Sequence, residues 1–285
     1  MVDSKIAIIT DSTAYLPTEF LQKYNIHVAP QVLIWGDDTY EDGVDILPSE
    51  FYSRLKTAKV MPSTSQVTPK TFIQMFGRLL EQEYQILAIL ISDKLSGTIA
   101  SAIQAKEMYP DAAIEIVDSN STAMAMGFQV LTVARAISHG ADFHESKQIA
   151  EAIRSNTGVV FAVDTLEFLH RGGRIGGGAR FLGTALQLKP ILELVDGKVE
   201  AVERVRTRSK SLNRLVDLIE DRIGGRKPVR LATLHANSLV DAQELLAEGQ
   251  SRIPSIENIL ADVSPVVGTH AGPGTVGLAF IAGID

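Results

Sequence analysis

Three short polar segments lie far apart in the chain and share one trait. They are Ser63-Thr64-Ser65-Gln66, Ser96-Gly97-Thr98 and Thr269-His270-Ala271-Gly272-Pro273-Gly274. Each sets hydroxyls or a histidine beside residues that interrupt regular structure, and the last two follow apolar, strand-like runs. Such side chains donate hydrogen bonds while carrying little charge of their own. Converging donors without a general base, a metal cluster or a phosphate-binding lysine suit the capture of one small anion, such as a carboxylate. The pattern points to binding before catalysis.

Several catalytic readings can be weighed against the same residues. Ser96, Asp262 and His270 follow the chain order of α/β-hydrolase triads, and Ser96 falls between a strand and a helix. The GxSxG elbow is incomplete, because Lys94 and Thr98 stand where its two glycines belong. Ser96 therefore has three readings: a helix N-cap, a donor to an anion at a helix start, or a nucleophile. Thr64 and Ser65, just before Pro69, could equally be loop hydroxyls. Residues 272–277 (GPGTVG) satisfy GxGxxG, but the chain ends before the helix, strand and acidic residue a dinucleotide site needs. They read as a tight loop entering the last strand. There is no GxxxxGK[ST], and the six histidines form no HxxxH pair, so no metal site is expected.

The glycine-rich run at residues 171–178 joins Arg180, Arg204, Arg206, Arg208 and Lys210 in a local basic excess. A solvated loop and hairpin face explains it. So does docking of an acidic partner, or capture of phosphate by planar guanidinium groups.

The elements that must position these residues alternate in the first half. Strands are expected at residues 5–10, 27–34, 86–91 and 114–117. Helices are expected from Thr68-Pro69 onward, after Ser96 and over residues 122–137. In the first of these helices Phe72, Met75, Phe76, Leu79 and Leu80 mark the buried face. Alternation of this kind implies a mainly parallel sheet covered on both faces, with ligands collecting at the carboxyl ends of its strands. Asp11-Ser12-Thr13, Ser96 and Asp118-Ser119 fall at those ends. After a polar stretch at residues 140–155 come a strand at 159–163 and the five-glycine segment 166–178. A hairpin follows, 191–195 and 199–205 about Asp196-Gly197. Then come a helix at 212–223, a strand at 230–235, a helix from 239 to about 248 and a strand at 278–284. The expected fold is α/β: a parallel-sheet N-terminal domain (1–157) and a mixed α+β C-terminal domain (158–285).

Bulk properties narrow the function. The 285 residues suffice for one large or two ordinary domains. A net charge of −7 argues against a general nucleic-acid binder, which needs a basic footprint. With no cysteine, disulfides, thiolate metal sites and cysteine nucleophiles are excluded. Asp3, Asp11 and Glu19 interrupt any apolar leader. The longest apolar runs fall far short of the roughly 20 residues of a spanning helix. A soluble, cytoplasmic protein is expected.

The segments Asp11-Ser12-Thr13-Ala14, Ser63-Thr64-Ser65-Gln66, Leu95-Ser96-Gly97-Thr98, Gly172-Gly173-Arg174-Ile175 and His270-Ala271-Gly272-Pro273-Gly274, in this order, resemble the DegV family. The resemblance spans essentially the whole chain. It implies a two-domain fold with a long-chain fatty acid held between the domains, and a carrier role rather than catalysis. The fatty-acid carboxylate would be held by Thr64 and Ser96, with His270 nearby and Ser65 a weaker candidate. The implied partner is a fatty-acid kinase subunit that makes acyl-phosphate with its own ATP and Mg²⁺, so no cofactor is expected here. Arg174, Arg206 and Arg204 would form the docking surface, and transient contact with a membrane surface fits a carrier. Two departures stand out: Ser92-Asp93-Lys94 before Leu95, and Gly176 after Ile175, where relatives more often carry small residues and serine.

Overall fold

A computed structural model describes residues 5–181 and 188–284. Its first half runs β1 (Lys5–Asp11), α1 (Thr18–Lys23), β2 (His27–Ala29), β3 (Val32–Trp35), β4 (Asp38–Glu41), α2 (Pro48–Leu55) and β5 (Ser63–Ser65). It continues with α3 (Pro69–Leu80), β6 (Tyr84–Leu90), α4 (Thr98–Lys106), β7 (Ile114–Asp118), α5 (Ala123–Ser138) and α6 (Phe143–Ala152). Strands in the order β2-β1-β6-β7 form a wholly parallel sheet. A small antiparallel sheet, β4-β3-β5, stands beside it.

The second half comprises β8 (Thr157–Ala162), α7 (Glu167–Arg171), β9 (Lys189–Val195), β10 (Lys198–Val205), α8 (Arg208–Ile223) and β11 (Val229–His235). It ends with α9 (Leu239–Arg252), β12 (Glu257–Asp262), α10 (Pro265–Ala271) and β13 (Val276–Ala282). Its sheet runs β10-β9-β8-β13-β11-β12 and is antiparallel except between β11 and β12. The mixed α/β fold expected from the sequence is the one observed.

Alternation along the strands sets the layers. Ala7 and Ile9 of β1 face Phe72 and Phe76 of α3, while Ile8 faces inward. Leu231 of β11, with Leu278 and Phe280 of β13, faces α8 and α9. Ala232, Leu234, Ala279 and Ile281 face inward toward Met124, Phe128 and Leu131 of α5. Buried almost all round over residues 123–134, α5 packs against strands of both large sheets. A helix apolar on every side belongs in such a central layer. No helix among the described residues is long and apolar enough to cross a membrane.

Three segments differ from their sequence reading. The strand expected at 27–34 splits at Pro30-Gln31, so β2 joins the parallel sheet and β3 the small one. The polar stretch 140–155 contains α6, opened by a reciprocal capping box between Asp142 and Glu145. The residues leading to His270 form α10 rather than strand and loop: Ser264 caps its start, Pro265 follows, and Gly272 ends it at φ 81°.

Candidate ligand-binding site

Between the two large sheets lies a cavity of about 950 Å³, counted out to its open mouth. Most of its wall is apolar: Ile91 and Leu95 from the first half, Phe161, Leu194, Val199 and Leu234 from the second. The hairpin that supplies Leu194 and Val199 closes against the first half at its turn. Asp196 and Gly197 have φ 48° and 79°, and a Cβ on Gly197 would stand 2.2 Å from Ser92 Oγ.

Thr64, Ser65, Ser96, Arg174 and His270 line this cavity together. Thr64, Arg174 and His270 also line a second recess shared with Arg171 and Phe168, so they mark the boundary between the cavity and the outside. Thr64 lies in the middle of β5, in register with Leu33 of β3. Ser96 lies in the turn from β6 into α4, and His270 in the last turn of α10. Thr64 Oγ1 and His270 Nε2 are 2.7 Å apart. Ser96 Oγ is 2.9 Å from Thr98 Oγ1. Ser96 is not the N-cap of α4; Gly97 holds that position, without a side-chain bond.

Burial lowers the His270 pKa to about 4, and the positive charge of Arg174 adds to the effect. The imidazole is therefore neutral at neutral pH. Its Nδ1 is buried without a partner, and a Cβ on Gly172 would stand 2.0 Å from that atom. Gly172 is thus needed for close approach, holding the ring from behind. Arg174 donates from Nε to Leu95 O at 3.1 Å and from Nη1 to Gly172 O at 2.7 Å. Its side chain is half-buried and bridges the halves of the molecule. Arg204 and Arg206 are exposed, and Arg204 lies 4.8 Å over the Phe181 ring.

The hydrolase triad is not assembled. His270 meets Thr64, while Asp262 is largely exposed and stands 3.5 Å from His235. Among the described residues no group of three or more metal-ligating side chains is placed to hold an ion.

Two buried carboxylates lie behind the site. Asp42 accepts from Ser12 Oγ at 2.6 Å and from the Val266 amide at 3.2 Å, tying the first half to the start of α10. Burial raises its pKa to about 6 despite these bonds. Asp11 accepts from Thr13 and the Ile91 amide; burial pushes its pKa up and these donors hold it back. Sequence reasoning missed Asp42, and also Gln31, a buried residue of the cavity wall.

The DegV family profile, described as an uncharacterised protein family, matches residues 5–283. A DegV domain-containing protein of Streptomyces coelicolor is 35% identical over 96% of this chain and 97% of its own. One from Halalkalibacterium halodurans is 32% identical over 97% and 98%. Among solved structures, a Thermus thermophilus DegV family protein described for its fatty-acid binding superposes with a TM-score of 0.92 at 32% identity, covering 98% of this chain and 99% of that one. Bacillus subtilis DegV, described as a fatty acid binding protein, gives 0.88 at 30% identity with the same coverage.

Proposed function

The chain belongs to the DegV family, and we propose that it binds a long-chain fatty acid as a carrier rather than transforming it. The observation that carries this reading is the cavity itself: a largely apolar wall into which the uncharged polar side chains of Thr64, Ser65, Ser96 and a neutral His270 are brought together, with Arg174 beside them. The apolar wall would bury the acyl chain, each methylene contributing roughly 0.8 kcal/mol. The carboxylate would lie at the mouth, since leaving it unpaired inside would be costly. The solved relatives described as fatty-acid binding support the choice of ligand. On this reading the chain divides into two domains, 1–157 and 158–285, with the ligand between them.

The test is mass spectrometry of lipid extracted from protein purified without added ligand, together with titration of a fluorescent fatty acid. Near-stoichiometric fatty acid and saturable uptake are expected. No extractable lipid and no uptake would refute the reading.

A finer role rests on the family resemblance: presentation of the carboxylate, in the cytoplasm, to a fatty-acid kinase partner that forms acyl-phosphate. Exposed Arg204 and Arg206, with Arg174 at the inner rim, would dock that partner. Arg204→Ala and Arg206→Ala should leave fatty-acid uptake intact and slow acyl-phosphate formation in a salt-dependent way. Arg174→Ala should lower both, because its guanidinium reaches Leu95 in the cavity wall. Wild-type phosphorylation rates over a range of carrier concentrations would remove the docking role.

A further inference from the structure

Asp42 is 2% exposed and directly follows β4. Its amide donates to Gln31 O at 2.9 Å, which extends the β3–β4 ladder one pair beyond Val32 and Glu41. On the other side of β3, Leu33 stands opposite Thr64 of β5. The Asp42 backbone and Thr64 therefore belong to one platform, the small antiparallel sheet.

The side chain of Asp42 leaves that platform. Its Oδ1 accepts from the Val266 amide at 3.2 Å, in the first turn of α10. That amide is one of those a helix start cannot satisfy internally. Ser264 takes the next one, from Val267, so Asp42 completes the cap from outside the helix. Its Oδ2 accepts from Ser12 Oγ at 2.6 Å, and Ser12 Oγ accepts the Gln31 amide at 3.1 Å. With a pKa of about 6, the carboxylate is ionised at neutral pH and can only accept, as both bonds require. One turn beyond Val266 comes His270, whose Nε2 meets Thr64 Oγ1 at 2.7 Å.

We infer that Asp42 is a positioning residue for the head-group site: it braces α10 against the sheet that carries Thr64, and so sets the Thr64–His270 contact. This deepens the fatty-acid reading and rests on it for the choice of ligand. Without the carboxylate the Val266 amide and the Ser12 hydroxyl lose their acceptor. The helix start is then free to shift, and the Thr64 hydroxyl is no longer held in line with the ring. Asparagine in place of Asp42 keeps a carbonyl oxygen for the Val266 amide.

The experiment measures hexadecanoate affinity of the delipidated protein, the His270 ring nitrogens by NMR, and melting curves as a folding control. Asp42→Ala should weaken binding about tenfold, the loss of one hydrogen bond to a charged ligand, and should move the His270 Nε2 resonance. Asp42→Asn should stay within about twofold of the unaltered protein and keep that resonance in place. In a His270→Ala background, Asp42→Ala should have little further effect on binding. A full tenfold loss in that background would mean that Asp42 acts by another route and would overturn the brace. So would an unmoved His270 resonance or unchanged affinity in Asp42→Ala, or equal weakening by alanine and asparagine. Should Asp42→Ala fail to fold, Ser12→Ala carries the test: it removes one support of the carboxylate and should weaken binding about threefold, and unchanged binding would count against the brace. If the unaltered protein takes up no hexadecanoate, the fatty-acid reading falls, while the His270 resonance, which needs no ligand, still decides the brace.

Discussion

Gly172→Ala adds one methyl group and should disable the head-group site from behind. At φ −75° and ψ −8° the Gly172 backbone suits any residue, so the effect is steric alone. The new Cβ would sit 2.0 Å from His270 Nδ1 and 2.8 Å from Cε1. Ordinary contact begins near 3.4 Å, so the ring must retreat by about 1 Å or more in a packed interior. Thr64 Oγ1 and His270 Nε2, now 2.7 Å apart, would then part or misalign. Overpacking of this kind costs about 1–3 kcal/mol of stability. Losing one donor to a charged ligand costs about 1.5–3 kcal/mol, a ten- to hundredfold weaker Kd. The assay is a fluorescent fatty-acid titration paired with thermal melts, run on Gly172→Ala, His270→Ala and the double variant. With the imidazole gone the methyl group has room, so the stability cost of Gly172→Ala should largely vanish in the His270→Ala background. An equal cost in both backgrounds would refute the clash, and wild-type affinity in Gly172→Ala would refute the role of the ring's position.

Four further outcomes are expected. Thr64→Ala and Ser96→Ala should each weaken fatty-acid binding, and the pair more than either, read by the same titration; wild-type affinity in the pair would place the carboxylate elsewhere. Affinity should rise with chain length by roughly 0.8 kcal/mol per buried methylene, so dodecanoate and hexadecanoate should differ about two-hundredfold; equal affinities would mean the apolar wall does not hold the tail. The Asp42 pKa is raised from 3.8 to about 6, so its linked stability is present at low pH and lost as pH rises through about 6. Asp42→Asn should therefore gain stability relative to wild type between those values, by up to about 3 kcal/mol, in denaturant melts across pH. His270 works with opposite sign: its pKa is lowered from 6.5 to about 4, so stability present above 6.5 is lost as pH falls toward 4. His270→Gln should flatten that acid limb, and an unchanged slope would mean the ring is not held neutral.

Much of the fold could be read from local signals. Thr68 caps α3 through the Thr71 amide, and Asp196-Gly197 makes the hairpin turn, because both depend on neighbouring residues alone. The signals for α6 and α10 were also local: a capping box and a Ser-Pro start ended by glycine. Polarity hid the first and an apparent strand run hid the second. The gathering of Thr64, Ser96 and His270 has no local signature; family resemblance supplied it. Arg174 shows the limit most clearly. Its inward turn depends on Leu95 O, 79 residues away, and nothing beside Arg174 encodes that acceptor. Asp42 reaches Val266 across 224 residues. Gln31 did leave a trace, a single amide after proline within an apolar run, but a strand reading absorbed it.

On the proposed reading, the site separates affinity from orientation. A tail of about 14 methylenes could contribute on the order of 10 kcal/mol before ordering costs, against about 1.5–3 kcal/mol for each donor to the carboxylate. Arg174, the cation that lines the cavity, already donates to the carbonyls of Leu95 and Gly172. The carboxylate would therefore meet hydroxyl donors, Thr64 and Ser96, with a neutral His270 bonded to Thr64, rather than depend on a bidentate ion pair. Hydrogen bonds from neutral groups can be exchanged for those of a second protein with little net change. A guanidinium clamp would have to be desolvated and broken first. The arrangement thus keeps the tail while leaving the reactive end available, which suits a carrier better than an enzyme that must hold a reacting group through its transition state.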